Sequence, residues 1–397
     1  MSRSSLLAVC GLVFCAELGQ SMLVPLLPGI GRDLALGPAE TGVLLSLATL
    51  ATLVTAVPAG LLAERIGALR VSLAAGVLFA VAAAVQAVAT DFPTLLAGRA
   101  LFGVGFAAIW TAGVTLLTGR DAPAGAVAAA MAAGGLAHLV GPPLSGVLND
   151  AVDRALPFWL LAAAATAVTL LAATGSAGRP QRAPTLGVRA AARAAGGDPA
   201  LRSAAVVIAL VGVLTGLVPL AVPLLLDAEG LSSGAIGWAF AASSLVWVGA
   251  SAVAARVRVR ADAAGAAAAG VLLLAAVALL PVATLAAPAL VAFVMVRAAI
   301  QAPLSTLSYD LGALGARTAG VAIGTAMGLL NLVWAAGATA APLLGGVVLA
   351  AAGARWVFVL LALACAVTAL GLRGRTAAPS RAGRETVRRL EPGPAAP

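Results

Sequence analysis

One carboxylate stands in the middle of a long apolar stretch near the start of the chain. Glu17 lies between Leu6 and Ile30, where most neighbouring side chains are apolar. If this stretch is a membrane-spanning helix, Glu17 lies roughly 16 Å from its start, near the centre of a bilayer. A charged carboxylate there costs about 2.5–3.5 kcal/mol, so it must face a polar interior or carry a proton. Glu17 is therefore predicted to exchange a proton, although a glutamate that merely packs against a neighbouring helix would give the same pattern.

Other polar side chains stand inside apolar stretches at positions that suit the lining of a cavity. Two of them follow Glu17 at helical spacing and share its face. Two arginines, Arg99 and Arg297, lie about two and three helical turns inside later stretches. In the alternative interpretation, both guanidinium groups extend toward the outer headgroups. The side chains expected to line a substrate cavity are Gln20, Ser21, Arg297, Gln301 and Trp334.

The composition restricts the class of protein. The chain of 397 residues is 62% hydrophobic and 10% charged, whereas a soluble protein carries about 25% charged residues. So much apolar surface does not fit inside one water-soluble core, which leaves a membrane protein with many spans. The net charge of +9 does not indicate nucleic-acid binding, because the arginines stand in loops and a tail between apolar stretches.

Twelve apolar stretches are long enough to cross a bilayer as helices. They run approximately over 6–30, 41–62, 71–89, 93–118, 123–148, 156–174, 203–226, 234–255, 264–283, 287–309, 318–350 and 355–372. The predicted fold class is an all-α membrane protein of twelve transmembrane helices in two pseudo-symmetric six-helix bundles. An even number of spans places both termini on one side. Most arginines then fall on that side, which predicts cytoplasmic termini in a multi-pass protein of the cell membrane.

The chain divides into two similar halves. We expect a first six-helix bundle over 1–174, a cytoplasmic linker over 175–202, a second bundle over 203–373 and a basic, disordered cytoplasmic tail over 374–397. The halves repeat weakly, since Leu-Val-Pro-Leu begins at Leu23 and again at Leu217. Asp33 and Asp227 follow these motifs at the same offset. A duplicated arrangement of this kind is typical of transporters whose site lies between the halves.

The stretch from Gly60 to Arg70 is short, charged and marked by glycines, and it separates the second and third apolar stretches. It resembles the signature loop of the major facilitator superfamily, Gly-x-x-x-Asp-Arg-x-Gly-Arg-Arg. Gly60, Arg65 and Gly67 match, Arg70 fits the last basic position, and Glu64 replaces the aspartate. The first of the two final basic positions is not basic here. The resemblance implies that this loop is a conformational switch, whose carboxylate helps to hold the outward-facing state through contacts between the halves.

A second resemblance to the superfamily lies in the fourth apolar stretch. Arg99 is followed four residues later by Gly103, as in the superfamily's motif of an arginine followed by a glycine at that spacing. The resemblance implies that Arg99 takes part in proton coupling.

The fifth apolar stretch resembles the motif of the drug:proton antiporter branch, Gly-x-x-x-x-x-x-x-Gly-Pro-x-x-Gly-Gly. The residues singled out on this helix are Gly134, His138, Gly141, Pro142 and Gly146. Ser145 replaces the first glycine of the closing pair. Generic helix packing in a glycine-rich chain is the alternative. His138 could titrate near neutral pH, but a packed, hydrogen-bonded histidine is the preferred interpretation.

These observations lead to three hypotheses of function. The first is proton-coupled efflux of small, fairly apolar molecules by alternating access. The second is a proton symporter that imports a small anionic metabolite held by Arg99 and Arg297, and the third is a membrane sensor or scaffold without transport. No enzyme activity, cofactor or metal is expected. The expected partners are a small-molecule substrate, protons and the lipid bilayer, with no nucleic acid, and the chain is expected to act as a monomer.

Overall fold

Twelve long helices make up most of the computed structural model. The structure describes residues 3–117, 125–173, 196–254, 256, 263–321 and 323–376, and these residues contain no strand. In chain order the helices are α1 (Arg3–Asp33), α2 (Pro38–Ile66), α3 (Ala68–Val88), α4 (Phe92–Leu117), α5 (Ala126–Ala151), α6 (Ala155–Ala173), α7 (Pro199–Ala228), α8 (Ser233–Ala254), α9 (Ala263–Ala283), α10 (Ala287–Thr318), α11 (Ile323–Ala351) and α12 (Ala354–Thr376). Each contains a segment that is long and apolar enough to cross a membrane. The predicted all-α fold with twelve spans is confirmed.

The largest difference from the predicted spans lies at α10. The apolar pattern ends the tenth span at residue 309, whereas α10 continues to Thr318 and α11 begins only at Ile323. With 32 residues, α10 is about 48 Å long and therefore exceeds the roughly 30 Å of a hydrocarbon core. Asp310 consequently lies within the helix, with an exposed side chain, rather than at its end.

The helices pack as two six-helix halves with matching internal contacts. In the first half α1 packs against α5, α2 against α4, and α3 against α4 and α6. The second half repeats these pairs as α7 with α11, α8 with α10, and α9 with α10 and α12. Most of the predicted linker, residues 175–195, lies outside the described residues, and so does the tail beyond residue 376.

The two halves meet at two equivalent helix crossings, α2 with α11 and α5 with α8. At the first crossing, a methyl group added to Gly42 would lie 2.3 Å from the carbonyl oxygen of Pro342. At the second, a methyl group on Gly237 would lie 2.3 Å from the carbonyl oxygen of Pro142. Glycine is required at both positions because main chain touches main chain, as is usual where small residues join membrane helices.

The contacts between the halves concentrate toward one end of the helices. We call the end where α1 finishes the distal face, and the end where α1 begins and α12 finishes the terminal face. Near mid-span, Thr339 donates to Thr49 across the halves at 3.1 Å, and Ser244 donates to the carbonyl oxygen of His138 at 3.2 Å. Among pairs of described residues, no hydrogen bond or ion pair joins the halves closer to the terminal face. The halves therefore close at the distal face.

Substitution of Gly237 by alanine should lower the melting temperature of the detergent-solubilised protein, because the added methyl group forces α5 and α8 apart. Overpacking of this kind costs about 1–3 kcal/mol. The matched control is Gly249→Ala on the same helix, where no atom lies within 4 Å of the added carbon and alanine is the better helix former. Equal melting temperatures for the two variants would contradict the close crossing.

Candidate functional site

The carboxylate of Glu17 is held by side chains from two other helices. The indole Nε1 of Trp110 on α4 donates to Glu17 Oε1 at 2.8 Å. His138 Nε2 on α5 lies 2.9 Å from Glu17 Oε2, a hydrogen-bond distance. Only 14% of the Glu17 side chain is exposed. Two polar contacts on one sheltered carboxylate fix its position.

Small residues on α5 make room for this cluster. Gly134 lies one helical turn before His138, and a methyl group added there would lie 3.2 Å from Glu17 Cγ. At Gly141 an added methyl group would lie 2.2 Å from the hydroxyl of Ser21. That hydroxyl donates to the carbonyl oxygen of Ala137 at 3.2 Å. The glycines thus let α1 approach α5 closely along the whole height of the site.

Ser145 supplies a further link between α1 and α5. Its hydroxyl is fully buried and donates to the carbonyl oxygen of Met22 at 2.8 Å. This serine stands where the motif that α5 resembles has glycine, and its hydroxyl joins α5 to the main chain of α1. Pro142 and Gly146, on another face of the same helix, touch α8 instead. One helix therefore contacts the carboxylate site and the other half of the molecule.

His138 lies between Glu17 and the space that separates the halves. Its side chain is 45% exposed, compared with 14% for Glu17. Its carbonyl oxygen accepts from Ser244 of the other half. The imidazole is therefore the more accessible of the two side chains.

Arg99 is fully buried on α4. Its Nη2 donates to Gln20 Oε1 over a long 3.4 Å, and its guanidinium carbon lies 4.6 Å from the centre of the Phe102 ring. Its Nε and Nη1 have no hydrogen-bond partner among the described residues. A guanidinium group with free N–H groups and no facing carboxylate is costly to bury. Arg99 thus adjoins the Glu17 cluster through Gln20 but does not pair with Glu17.

Arg297 occupies the corresponding region of the second half. Its Nη1 donates to Gln301 Oε1, one turn along α10, and its Nε has no partner among the described residues. Gln301 Nε2 in turn donates to the carbonyl oxygen of Val211 at 3.2 Å and lies 3.4 Å from the Thr215 hydroxyl on α7. Trp334 packs nearby, with its main chain against Gly212 of α7. The residues expected to form one cavity therefore form two clusters, one in each half.

The turn between α2 and α3 is tighter than the sequence predicts. The segment from Gly60 to Ile66 is helical, and Gly67 alone separates the two helices with a φ of +98°, which favours glycine. Arg70 Nη1 lies 3.5 Å from the carbonyl oxygen of Ile66. Arg65 is exposed. Glu64 is half-buried and has no partner among the described residues.

The sequence does not identify Trp110 or His138 as partners of Glu17. Trp110 and His138 are 93 and 121 residues away along the chain. The available signal is the carboxylate itself, which needs donors once it is buried in a span. No group of His, Cys, Asp or Glu in the described part of the chain is arranged to hold a metal ion.

Comparison with known proteins places this fold among transporters. The model of the Major Facilitator Superfamily matches residues 9–326, and no curated protein sequence matches the chain. A bacterial homologue of the human lysosomal transporter Spinster, in an inward-facing and occupied conformation, is similar with a TM-score of 0.74 and 15% identity over 94% of this chain and 96% of that one. The human organic anion transporter MFSD10 is similar with a TM-score of 0.67 and 20% identity over 93% of this chain and 99% of that one. A mutant of the nucleoside transporter NupG is similar with a TM-score of 0.77 and 12% identity over 94% of this chain and 99% of that one. Identities this low show the fold alone.

His138 is the only histidine of the chain, so diethyl pyrocarbonate, which acylates neutral imidazole, reports on this one ring. We expect one acylated ring per chain, because nearly half of the side chain is exposed. Glu17→Gln should speed the reaction several-fold, since Nε2 then no longer faces a carboxylate. Ultraviolet absorbance of the acylated ring measures both rates, with His138→Gln as the blank. An unreactive native ring, or equal rates in the two proteins, would contradict the contact.

Proposed function

The chain belongs to the major facilitator superfamily, and on this premise we propose that it is a proton-coupled exporter of small, fairly apolar molecules. Membership makes it a membrane transporter. One observation supports the finer statement: the carboxylate of Glu17, deep in α1, is held between the imidazole of His138 and the indole of Trp110. Proton coupling requires a titratable pair at this depth, whereas helix packing alone does not require one.

The proposed coupling acts through α5. When Glu17 takes up a proton, it loses the charge that holds His138, and the contact between α1 and α5 weakens. The same residue accepts from Ser244 through its carbonyl oxygen, so a shift of α5 at this point reaches the other half. Protonation and substrate binding then favour different arrangements of the two halves, which is the differential affinity that coupling needs.

The proposed orientation of the protein in the membrane rests on the arrangement of charges. We propose that the terminal face is cytoplasmic, because it carries most of the arginines. Those on it within the described residues are Arg3, Arg65, Arg70, Arg202, Arg256, Arg317, Arg373 and Arg375, against Arg32, Arg154 and Arg355 at the distal face. Closure at the distal face then corresponds to an inward-facing state. The resemblance of α5 to the antiporter motif supports export and a substrate without charge.

Glu64 fits the opposite state of the same cycle. Its carboxylate has no partner among the described residues while the distal face is closed. We propose that it bonds the other half only when the terminal face closes, as the resemblance of this turn implies. The two bundles over 1–174 and 203–373 are then the bodies that move, joined by the linker over 175–202.

Glu17→Gln should abolish gradient-driven transport in proteoliposomes while sparing counterflow, because the amide keeps the shape of the side chain but does not titrate. The substrate for this assay comes from a growth screen in a transporter-depleted host. Both assays are run over roughly pH 5.5–8.5, on either side of the ordinary range of histidine. Asp310→Asn is the matched control, since Asp310 is an exposed acid on α10. Normal pH-dependent pumping by Glu17→Gln would overturn the proposal.

The buried arginines support a second candidate function, proton-linked import of a small organic anion. Arg99 and Arg297 each keep N–H groups without a partner among the described residues, and an anionic substrate would satisfy them. The two candidates differ in the direction of proton flow. Addition of an exported substrate outside drives protons outward from the vesicle, whereas addition of a symported anion draws protons inward with it.

Arg297→Gln separates these candidates at the level of binding. If the substrate is an anion held by this group, the variant should raise KM about tenfold or more, because a hydrogen bond to a charged partner contributes about 1.5–3 kcal/mol. Arg202→Gln, which removes an exposed arginine of α7, should leave KM unchanged. The same KM for Arg297→Gln and the native protein would eliminate the anion candidate.

A further inference from the structure

The N-terminus of α8 receives its cap from the other half of the molecule. The amide of Ser233 donates to Asp150 Oδ1 at 3.1 Å, and the amide of Gly234 donates to Asp150 Oδ2 at 2.8 Å. Asp150 is the penultimate residue of α5. The first turn of α8 carries no acidic residue of its own. Within its own half, the hydroxyl of Ser232 also accepts, from the amide of Ala235 at 3.3 Å.

Three other helices that begin at the distal face, α2, α4 and α6, use a carboxylate of their own half, whereas α10 has no side-chain cap. The amide of Gly37, before α2, donates to Glu40. Asp91 accepts from the amide of Thr94 in α4 at 2.8 Å. Asp153 accepts from the first two amides of α6 at 2.9 and 2.8 Å. Capping of α8 by Asp150 is therefore a contact between the halves.

Glycines bring the two helix ends together. A methyl group on Gly146 of α5 would lie 2.2 Å from the carbonyl oxygen of Ser233, and one on Gly234 would lie 2.9 Å from Asp150 Oδ2. Asn149 adds a hydrogen bond from Nδ2 to the Ser233 hydroxyl at 3.0 Å. These contacts hold the carboxylate against the amides without space for water between them.

The equivalent crossing, of α2 with α11, has no such carboxylate cap among the described residues. There Gly346 of α11 lies against the carbonyl oxygen of Pro38, as Gly146 lies against that of Ser233. The position that corresponds to Asp150 is Ala350, and Pro38 has no amide hydrogen to donate. The cap is thus present at the crossing of α8 with α5, the helix that carries His138, and absent among the described residues at the crossing of α2 with α11.

We propose that Asp150 is a positioning residue of the transport cycle, which caps α8 only while the distal face is closed and thereby controls how often this face opens. The proposal rests on the alternating access of the proposed function but not on proton coupling. Opening separates α5 from α8 and removes a carboxylate from two first-turn amides and from the positive end of the helix dipole. The other ionic link, Arg32 with Asp227, has an arginine that is 63% exposed, and such pairs contribute little.

The test measures the opening of the distal face directly. Spin labels are attached to cysteines at Thr90 and Ala283, two exposed positions at this face in opposite halves. Cys10, Cys15 and Cys365 are replaced by alanine in the full chain, which is studied in lipid nanodiscs by double electron–electron resonance. Asp150→Ala should lower the ratio of the short-distance to the long-distance population about fivefold, the usual effect of losing one helix cap.

Asp153→Ala is the matched control. It removes a carboxylate three residues away that caps α6 within one half, so its distance distribution should remain that of the native protein. Unchanged distances for Asp150→Ala, or an equal shift for both variants, would overturn the proposal.

If Asp150→Ala does not fold, Asp150→Asn replaces it. Asparagine keeps one acceptor without the charge, so a smaller shift is expected, and no shift overturns the proposal. The distance measurement does not depend on whether Glu17→Gln loses proton-coupled transport. Either proposal can therefore be overturned while the other stands.

Discussion

Main-chain contact at two helix crossings is the constraint on which the arrangement of the halves depends. In a bilayer, apolar side chains gain little by leaving lipid for one another, so helices associate through close packing and hydrogen bonds. Gly42 and Gly237 provide that packing, each against a proline carbonyl of the facing helix. Each crossing is about as extensive as the packing of α1 against α5 within the first half, so these two crossings hold the halves together.

The carboxylate site depends on this arrangement because both use α5. The face of α5 with Gly134 and Gly141 packs on α1, and the face with Pro142 and Gly146 packs on α8. His138 belongs to both contacts, through its ring to Glu17 and through its carbonyl oxygen to Ser244. The carboxylate of Glu17 thus contacts a helix that is part of the joint between the halves.

Apolar length and arginine placement were sufficient to predict twelve helices, because a bilayer sets the length of any helix that crosses it. Helix ends were predicted less well where a helix continues beyond the lipid. Glu64 and Arg65 look like loop residues, yet they extend α2 to Ile66, and Asp310 similarly lies within α10. Within the Glu17 cluster, the sequence identified Glu17 only by its depth in the first apolar stretch. Its partners could not be inferred, because the contact with Trp110 arises only when α4 packs beside α1.

Comparison of the two halves shows that only one of them holds a carboxylate–imidazole contact among the described residues. The offset of 194 residues that relates Asp33 to Asp227 also relates Glu17 to Val211 and Ser21 to Thr215. In the second half Gln301 bonds the main-chain carbonyl of Val211 and approaches Thr215, where the first half has a carboxylate with His138 and Trp110. An amide on a carbonyl does not titrate, whereas a carboxylate on an imidazole does. The shared fold thus supplies two equivalent positions at the same depth, and the side chains place a carboxylate–imidazole contact at one and a guanidinium–amide contact at the other.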